Sequence, residues 1–229
     1  MPGPAQVVTA FQKRITTAFS LYDELVLAVH QKTKQKSLES LLAEQFVLGL
    51  AVLWEAFIHD LIVAYIEDRS DVCIRFHRDK VTQSIEAKNK AFSKWVVIEV
   101  PPSLTREQIE LMLDPEGWNI TADSAETLAK RANQLLSAPH AIKFSLADSD
   151  RKFVDLLIAI RNYLSHRSSG SLVIMKQRIK ELQKVDATSP LNGTVTTVGA
   201  YLKARPAGVG LSRANIIGNN LGAVAAKLA

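Results

Sequence analysis

Apolar residues recur three or four positions apart along most of the chain, a spacing that predicts α-helices. The first such segment covers about 7–34, and the second covers about 37–67, with Ser37 or Ser40 as the residue that caps its start. The apolar stripe of the second segment is wide. We therefore expect this helix to lie at the centre of the fold, with contacts on more than one side.

The middle of the chain, about 69–120, is more polar, and we expect an irregular insertion there. Its WVVIEVPP segment could form a short strand, which the two prolines would end. SLTREQIELML predicts a short helix with Ser103 or Thr105 as its cap. DPEGWNITADS predicts a loop with turns at Pro115 and Gly117.

Helical spacing returns after this insertion. The predicted helices are SAETLAKRANQLL, SLADSDRKFVDLLIAIRNYLSH, LVIMKQRIKELQK, a segment near 195–203, and a last helix from Ser212 that follows a turn at 206–210. In the second of them, Asp148 or Ser149 can cap the start, and apolar residues from Phe153 to Leu164 form a regular core stripe. Together these patterns predict an all-α fold, a helical bundle built on two long helices.

The chain of 229 residues, of which 47% are hydrophobic and 22% charged, is long enough to bury a substantial core. We expect one domain over 1–186 and a Gly/Ala-rich helical extension over 187–229 that packs on the same domain. The single cysteine, Cys73, excludes a disulfide within the chain and favours a reducing, cytoplasmic setting. The first residues also lack the pattern of a secretory signal.

The most apolar stretch, FVLGLAVLWEAFIHDLIVAYI at 46–66, is long enough to cross a membrane. Glu55, His59 and Asp60 argue against that interpretation. An acidic side chain at the centre of a bilayer costs roughly 2.5–3.5 kcal/mol on insertion scales. We therefore expect a buried helix in a soluble bundle and no association with a membrane.

Metal and cofactor sites are not expected. The histidines are spread along the chain, at 30, 59, 77, 140 and 166. The sequence has no phosphate-binding loop, and no strand precedes its later glycines, as a dinucleotide-binding unit requires. The net charge of +5 favours contact with a polyanion without specifying one.

The segment RNYLSH gathers Arg161, Asn162 and His166 at the end of an apolar run. Arginine offers a planar fork of donors that matches phosphate oxygens, and asparagine adds a donor and an acceptor. Histidine can accept and return a proton near neutral pH. Together these groups could grip a phosphodiester and move the proton of an attacking hydroxyl. RNA carries that hydroxyl itself, so no metal is required.

Helix geometry limits how these groups can meet. Asn162 and His166 share a face, but Arg161 and His166 are about 140° apart in a regular helix. They converge only if the helix distorts near Ser165, if the arginine wraps round, or if a second copy of the segment completes the site. We therefore predict a homodimer with a shared site. The structural alternative is that Arg161 pairs with Asp155 and that His166 caps the helix.

Two further groups of polar residues have both a structural and a functional interpretation. Glu55 and His59 lie four apart on the long helix, so we expect a satisfied polar pair, and a carboxylate that supports a site on a neighbouring helix is the alternative. A basic group could form the electrostatic approach for RNA or merely a solvated basic face. Its members are Arg75, Arg78, Lys88, Lys90, Lys94 and Arg167.

The segment LLIAIRNYLSHRSSGS resembles the signature of the HEPN superfamily of all-α domains: an arginine, a polar residue, a short spacer and a histidine. The flanking segments are similar to the branch called RiboL-PSP-HEPN. These are the Trp-Glu-Ala-Phe helix at 40–66, GWNITADSAETLAKRANQLL, and the following SLADSD. The resemblance covers most of the chain and is strongest at 40–66 and 115–170.

This resemblance implies a HEPN-like bundle and a metal-independent endoribonuclease, often a homodimer with the motif at its interface. Arg161 and His166 would be catalytic, Asn162 supportive and Glu55 auxiliary. A toxin or anti-phage role would add an antitoxin or defence-system partner. Ser168 stands where some HEPN toxins carry a tyrosine that a partner enzyme adenylylates. Other HEPN domains have lost catalysis and bind RNA or protein.

Overall fold

The computed structural model describes residues 2–30, 32–114 and 122–229 and confirms the all-α prediction. In these ranges the chain forms eleven α-helices and a 3₁₀ turn at Ile142–Phe144, with no strand. The α-helices are α1 Pro4–Val29, α2 Gln35–Asp68, α3 Asp71–Lys88, α4 Lys90–Ser93, α5 Arg106–Leu113, α6 Ala125–Leu135, α7 Ala138–Ala141, α8 Asp148–His166, α9 Ser169–Val185, α10 Val198–Lys203 and α11 Arg213–Lys227.

Helix α2 is the centre of the bundle, with α1, α5, α8, α10 and α11 packed against it. Its buried residues lie all round its circumference, which is why the sequence shows a wide apolar stripe. On one side, Phe11 of α1 stacks on Phe57 with 4.2 Å between ring centroids. Trp54 closes the same aromatic group at 6.1 Å from Phe11. Two members of the Trp-Glu-Ala-Phe sequence therefore belong to the core.

By length and composition, α2 is also the one helix in the described ranges that could cross a membrane. Its most apolar window has a mean hydropathy of 1.9, but 61% of that window is buried inside the protein. Packing against five other helices thus accounts for most of this apolar surface.

The helix starts agree with the sequence at some positions and differ at others. Thr105 caps α5, where its hydroxyl accepts a hydrogen bond from the Gln108 amide, and Ser212 caps α11. The predicted cap at Ser37 is wrong, because α2 begins at Gln35 without a side-chain cap. The hydroxyl of Ser40 donates within α2, to the carbonyl of Lys36.

Helix α8 also begins without the predicted side-chain cap. The residue before its first turn is Ala147, and Asp148 and Ser149 are already helical. Asp148 and Asp150 instead place negative charge in the first turn, where the helix dipole favours it. The core stripe is confirmed, since Phe153, Leu157 and Leu164 are all buried.

The middle of the chain is more regular than the irregular insertion expected at 69–120. Helix α3 occupies 71–88, and the sequence did not reveal it because Cys73 is its one buried residue. A helix with so little buried surface has no apolar stripe to detect. The possible strand in WVVIEVPP is also wrong, because 96–100 is irregular backbone. The turns expected at Pro115 and Gly117 lie outside the described residues.

The C-terminal segment packs on the central helices. Helix α10 lies against α2, and α11 contacts α1, α2 and α8. The buried hydroxyl of Tyr65 donates to the carbonyl of Leu228 at 2.5 Å, which ties the end of α11 to α2. Gly208 and Gly210 have φ angles of 78° and 74°, in agreement with the turn predicted at 206–210.

Replacing Gly199 with alanine is expected to loosen the contact between α10 and α2. The added Cβ would lie 2.7 Å from the Cβ of Ser40 and 2.8 Å from its carbonyl oxygen. Overpacking of this kind should lower the free energy of unfolding by about 1–3 kcal/mol, measured by urea denaturation. Gly222→Ala is the control, because nothing lies within 4 Å of its Cβ. Equal stability of the two variants would contradict this packing.

Candidate functional site

Arg161 lies at the edge where α8 meets α2, and two of its nitrogens face one carboxylate. Its Nε is 3.3 Å from Oε1 of Glu55, and its Nη2 donates to Oε2 at 3.3 Å. Nη1 donates to Oδ1 of Asn162 at 3.2 Å. The Arg161 and Glu55 side chains are 32% and 25% exposed, so the pair is open to solvent on one side.

The core packing of the two helices brings this pair together. Ile160 is fully buried, and Arg161 follows it about 100° further round α8, on the side of α2. On α2, Trp54 and Phe57 turn toward Phe11 of α1. Glu55 follows Trp54 about 100° further round α2, away from that aromatic group, and faces Arg161 of α8.

The pairing bears on two structural expectations. Glu55 contacts Arg161 of the neighbouring helix α8, as the alternative interpretation of this carboxylate requires, and its expected pairing with His59 stays a prediction. His59 is buried one turn further along α2. Asp155 is not the partner of Arg161, because its carboxylate accepts the amide of Ala125 at 2.8 Å, in the first turn of α6.

His166 is the last residue of α8, and its side chain is exposed. Within 2–30, 32–114 and 122–229 it has neither a hydrogen bond nor an ion pair from its ring. The helix runs through Ser165 without a break, so the distortion considered there is absent. Arg161 and His166 of one chain are therefore about 140° apart around α8. Asn162, which is hydrogen-bonded to Arg161, is the motif residue that shares a face with His166.

Arg167 ends α8 in the left-handed conformation, with φ 51°, and its amide donates to the carbonyl of Tyr163 at 2.7 Å. This conformation costs a non-glycine residue about 1–2 kcal/mol. The Arg167 side chain makes two contacts. Its Nη2 donates to Oε2 of Glu44 at 2.6 Å, and its guanidinium lies 5.6 Å from the centre of the Tyr163 ring. The hydrogen bond with Glu44 raises the pKa of Arg167. This predicted RNA-binding cation is thus paired within the chain.

Glu44 and Glu55 lie on the same side of α2, three turns apart, and bind Arg167, which follows the motif, and Arg161, which begins it. Glu44 was missed in the sequence, because a contact across 123 positions leaves no local signal. Exposed apolar side chains lie on α2 within one turn of these glutamates and in the first half of α9, the helix that follows the motif. They are Leu41 and Val52 on α2, which are 50% and 53% exposed, and Val173 and Ile174 on α9, which are 66% and 55% exposed.

The other predicted RNA-binding residues are exposed but lie away from the motif. Arg75 and Arg78 are on α3, and Lys88, Lys90 and Lys94 are at its end and around α4. Helix α3 begins beyond the C-terminal end of α2, which is about 20 Å along the helix from Glu55. Helix α3 packs against α4 and α6, and in the described ranges neither α3 nor α4 packs extensively against α8, so the fold does not gather these five cations around Arg161 and His166.

No group of three or more His, Cys, Asp or Glu side chains that could hold a metal ion is present in the part of the chain that the structure describes. No family model matches the chain, and no curated protein or solved structure matches it significantly.

Replacing Glu55 with glutamine is expected to strengthen RNA binding. The carboxylate now occupies the donors of Arg161 that would face a phosphate. Once the negative charge of Glu55 is removed, the Arg161 guanidinium should gain one phosphate contact. The slope of log K against log salt should then steepen by about 0.7. Titration with single-stranded RNA at several salt concentrations, with Glu55→Gln introduced into a His166→Ala chain, measures the affinity and the slope. Weaker binding would instead mean that Glu55 holds Arg161 in its productive orientation.

Proposed function

We propose that this protein is a metal-independent endoribonuclease of the HEPN type. One observation carries the proposal. Arg161 and Asn162 form a hydrogen-bonded pair at a half-exposed helix edge, and His166, which has no polar partner in the described ranges, stands at the solvent end of the same helix. A positive fork, an amide and an imidazole are sufficient for transfer of the RNA phosphate to its own 2′-hydroxyl.

In this mechanism Arg161 and Asn162 hold the phosphate oxygens. Binding requires the phosphate to replace Glu55 at two of the donors of Arg161. The 2′-oxygen attacks phosphorus and the bond to the 5′-oxygen breaks, which leaves a 2′,3′-cyclic phosphate. His166 either takes the proton of the 2′-hydroxyl as general base or gives a proton to the leaving 5′-oxygen as general acid.

The proposal includes a homodimer. Because α8 is regular, Arg161 and His166 of one chain do not converge on one small ligand. A two-fold axis close to this edge of α8 would bring His166 of a second copy toward Arg161. The exposed apolar side chains of α2 and α9 around the edge support such an interface, since they would be covered by it.

A non-catalytic module that binds RNA or protein is the second candidate. It is favoured by the internal neutralisation of Arg161 by Glu55 and of Arg167 by Glu44. Incubation with RNA in excess chelator separates the two candidates. The enzyme should produce cyclic-phosphate ends that are lost in His166→Ala, whereas the module should bind RNA without cutting it and be unaffected by that substitution.

A toxin or anti-phage role, with a cytoplasmic location and an antitoxin or defence-system partner, follows from the same proposal. Expression of the active enzyme should arrest growth, and His166→Ala should relieve the arrest. Control by adenylylation of a tyrosine is not part of the proposal, because Ser168 occupies that position and caps α9 with its hydroxyl.

A further inference from the structure

Exposed aromatic rings and lysines alternate along 88–95, remote from the motif. Trp95 is 78% exposed and Phe92 is 53% exposed, whereas Trp54 in the core is 4% exposed. The window 87–98 contains three lysines and no carboxylate. Solvent-exposed aromatic side chains within a positively charged segment are typical of a binding surface.

The backbone holds the two rings on one side of a single turn. The Asn89 side chain accepts the amide of Phe92 at 3.0 Å, which caps α4. The amide of Trp95 then donates to the carbonyl of Phe92 at 3.0 Å. Residues three apart on a helical turn are neighbours, so both rings emerge on the same side.

The lysines of this segment differ from Arg161 and Arg167 in their ion pairing. Arg161 and Arg167 each face a glutamate of α2. Lys88, Lys90 and Lys94 have no ion-pair partner in the described ranges. Their charges are therefore available to an outside anion without the loss of an internal contact.

We propose that the basic aromatic surface, made of Lys88, Lys90, Phe92, Lys94 and Trp95, binds single-stranded RNA. Unpaired bases stack on Trp95 and Phe92, and the lysines contact the phosphates between them. Duplex RNA is a poor ligand, because its bases are stacked on one another and present no free face. The inference rests on the proposed function and specifies that the RNA substrate is single-stranded.

The surface acts on binding and not on the chemical step. It lies at the end of α3 and around α4, and within the described ranges these helices pack against each other and α3 against α6, with no extensive contact with α8. A strand held there is anchored some nucleotides away from the phosphate that is cut. Loss of the surface should therefore raise KM and leave kcat unchanged.

The test uses the full chain with His166→Ala, so that RNA stays intact, and a short fluorescent oligouridine whose anisotropy reports binding. Trp95→Ala should weaken binding about 5- to 150-fold, the loss expected for one stacked base. Val97→Ala is the matched control, since Val97 is an apolar side chain of the same segment and is 82% exposed. It should bind as the parent does.

A second variant tests the lysines. Changing Lys88, Lys90 and Lys94 together to glutamine should reduce the slope of log K against log salt by about 2 for a single strand. The proposal is overturned if Trp95→Ala binds oligouridine as Val97→Ala does, or if an RNA duplex binds as tightly as the single strand. It is also overturned if Trp95→Ala weakens binding to vesicles of phosphatidylserine and phosphatidylcholine but leaves RNA binding unchanged, since that result identifies a membrane contact.

These outcomes are separate from the fate of the nuclease proposal. Trp95-dependent binding without any cleavage by the wild-type chain would contradict the nuclease and preserve the surface. Cleavage in chelator with an unchanged KM in Trp95→Ala would preserve the nuclease and contradict the surface.

Discussion

Replacing His166 with alanine is expected to lower RNA cleavage by about 10²–10⁴-fold, the contribution of a general acid or base. The side chain is exposed at the end of α8 and has no polar partner in the described ranges, so its removal should leave folding intact. Single-turnover cleavage at saturating RNA measures the loss, and the thermal midpoint Tm reports folding.

Ser165→Ala is the control for this experiment. Ser165 is the neighbouring exposed residue of the same helical turn, and it has no part in the proposed chemistry. It should cut RNA at the wild-type rate. Equal rates for wild-type protein and His166→Ala, in a preparation free of contaminating nuclease, would mean that the motif is not the catalytic site.

Arg161→Ala is expected to lower cleavage by about 10²–10³-fold, the loss seen when one positioned donor to a developing negative charge is removed. Arg161→Lys should restore little of it, because lysine retains the charge but not the planar fork that spans two phosphate oxygens. The rate at saturating RNA is the decisive measurement, since it separates stabilisation of the transition state from simple binding.

Arg151→Ala is the matched control for Arg161. Arg151 lies on the same helix, is about half exposed and pairs with Asp148 in its own first turn. Its loss should leave the rate unchanged. Full activity in Arg161→Lys would contradict the proposed role, because any positive charge at this position would then suffice.

Much of the fold could be predicted from the sequence, because helices that bury one face leave a regular apolar spacing. Helix α8 shows this best: Phe153, Leu157 and Leu164 form the predicted stripe and are buried. Residues with strong local preferences also gave correct positions, as Thr105 and Ser212 did for the starts of α5 and α11.

Other features depend on contacts between distant residues and could not be predicted. Glu44 meets Arg167 across 123 positions, and Glu55 meets Arg161 across 106. Helix α3 buries only Cys73 and so lacks a stripe. The basic segment with Lys88, Lys90 and Lys94 is visible in the sequence, but the exposure of Trp95 within it is not, because a local pattern does not show which large apolar side chains stay outside the core.

Mixing two inactive variants tests the shared site most directly. Arg161→Ala and His166→Ala chains, separately tagged and combined in equal amounts, should recover about one quarter of the wild-type rate, because half of the dimers are mixed and each has one intact site of two. Native mass spectrometry verifies that mixed dimers have formed. Cleavage that stays at the level of either variant alone, although mixed dimers are present, or a chain that remains monomeric while it cuts RNA, would contradict a site completed by a second copy.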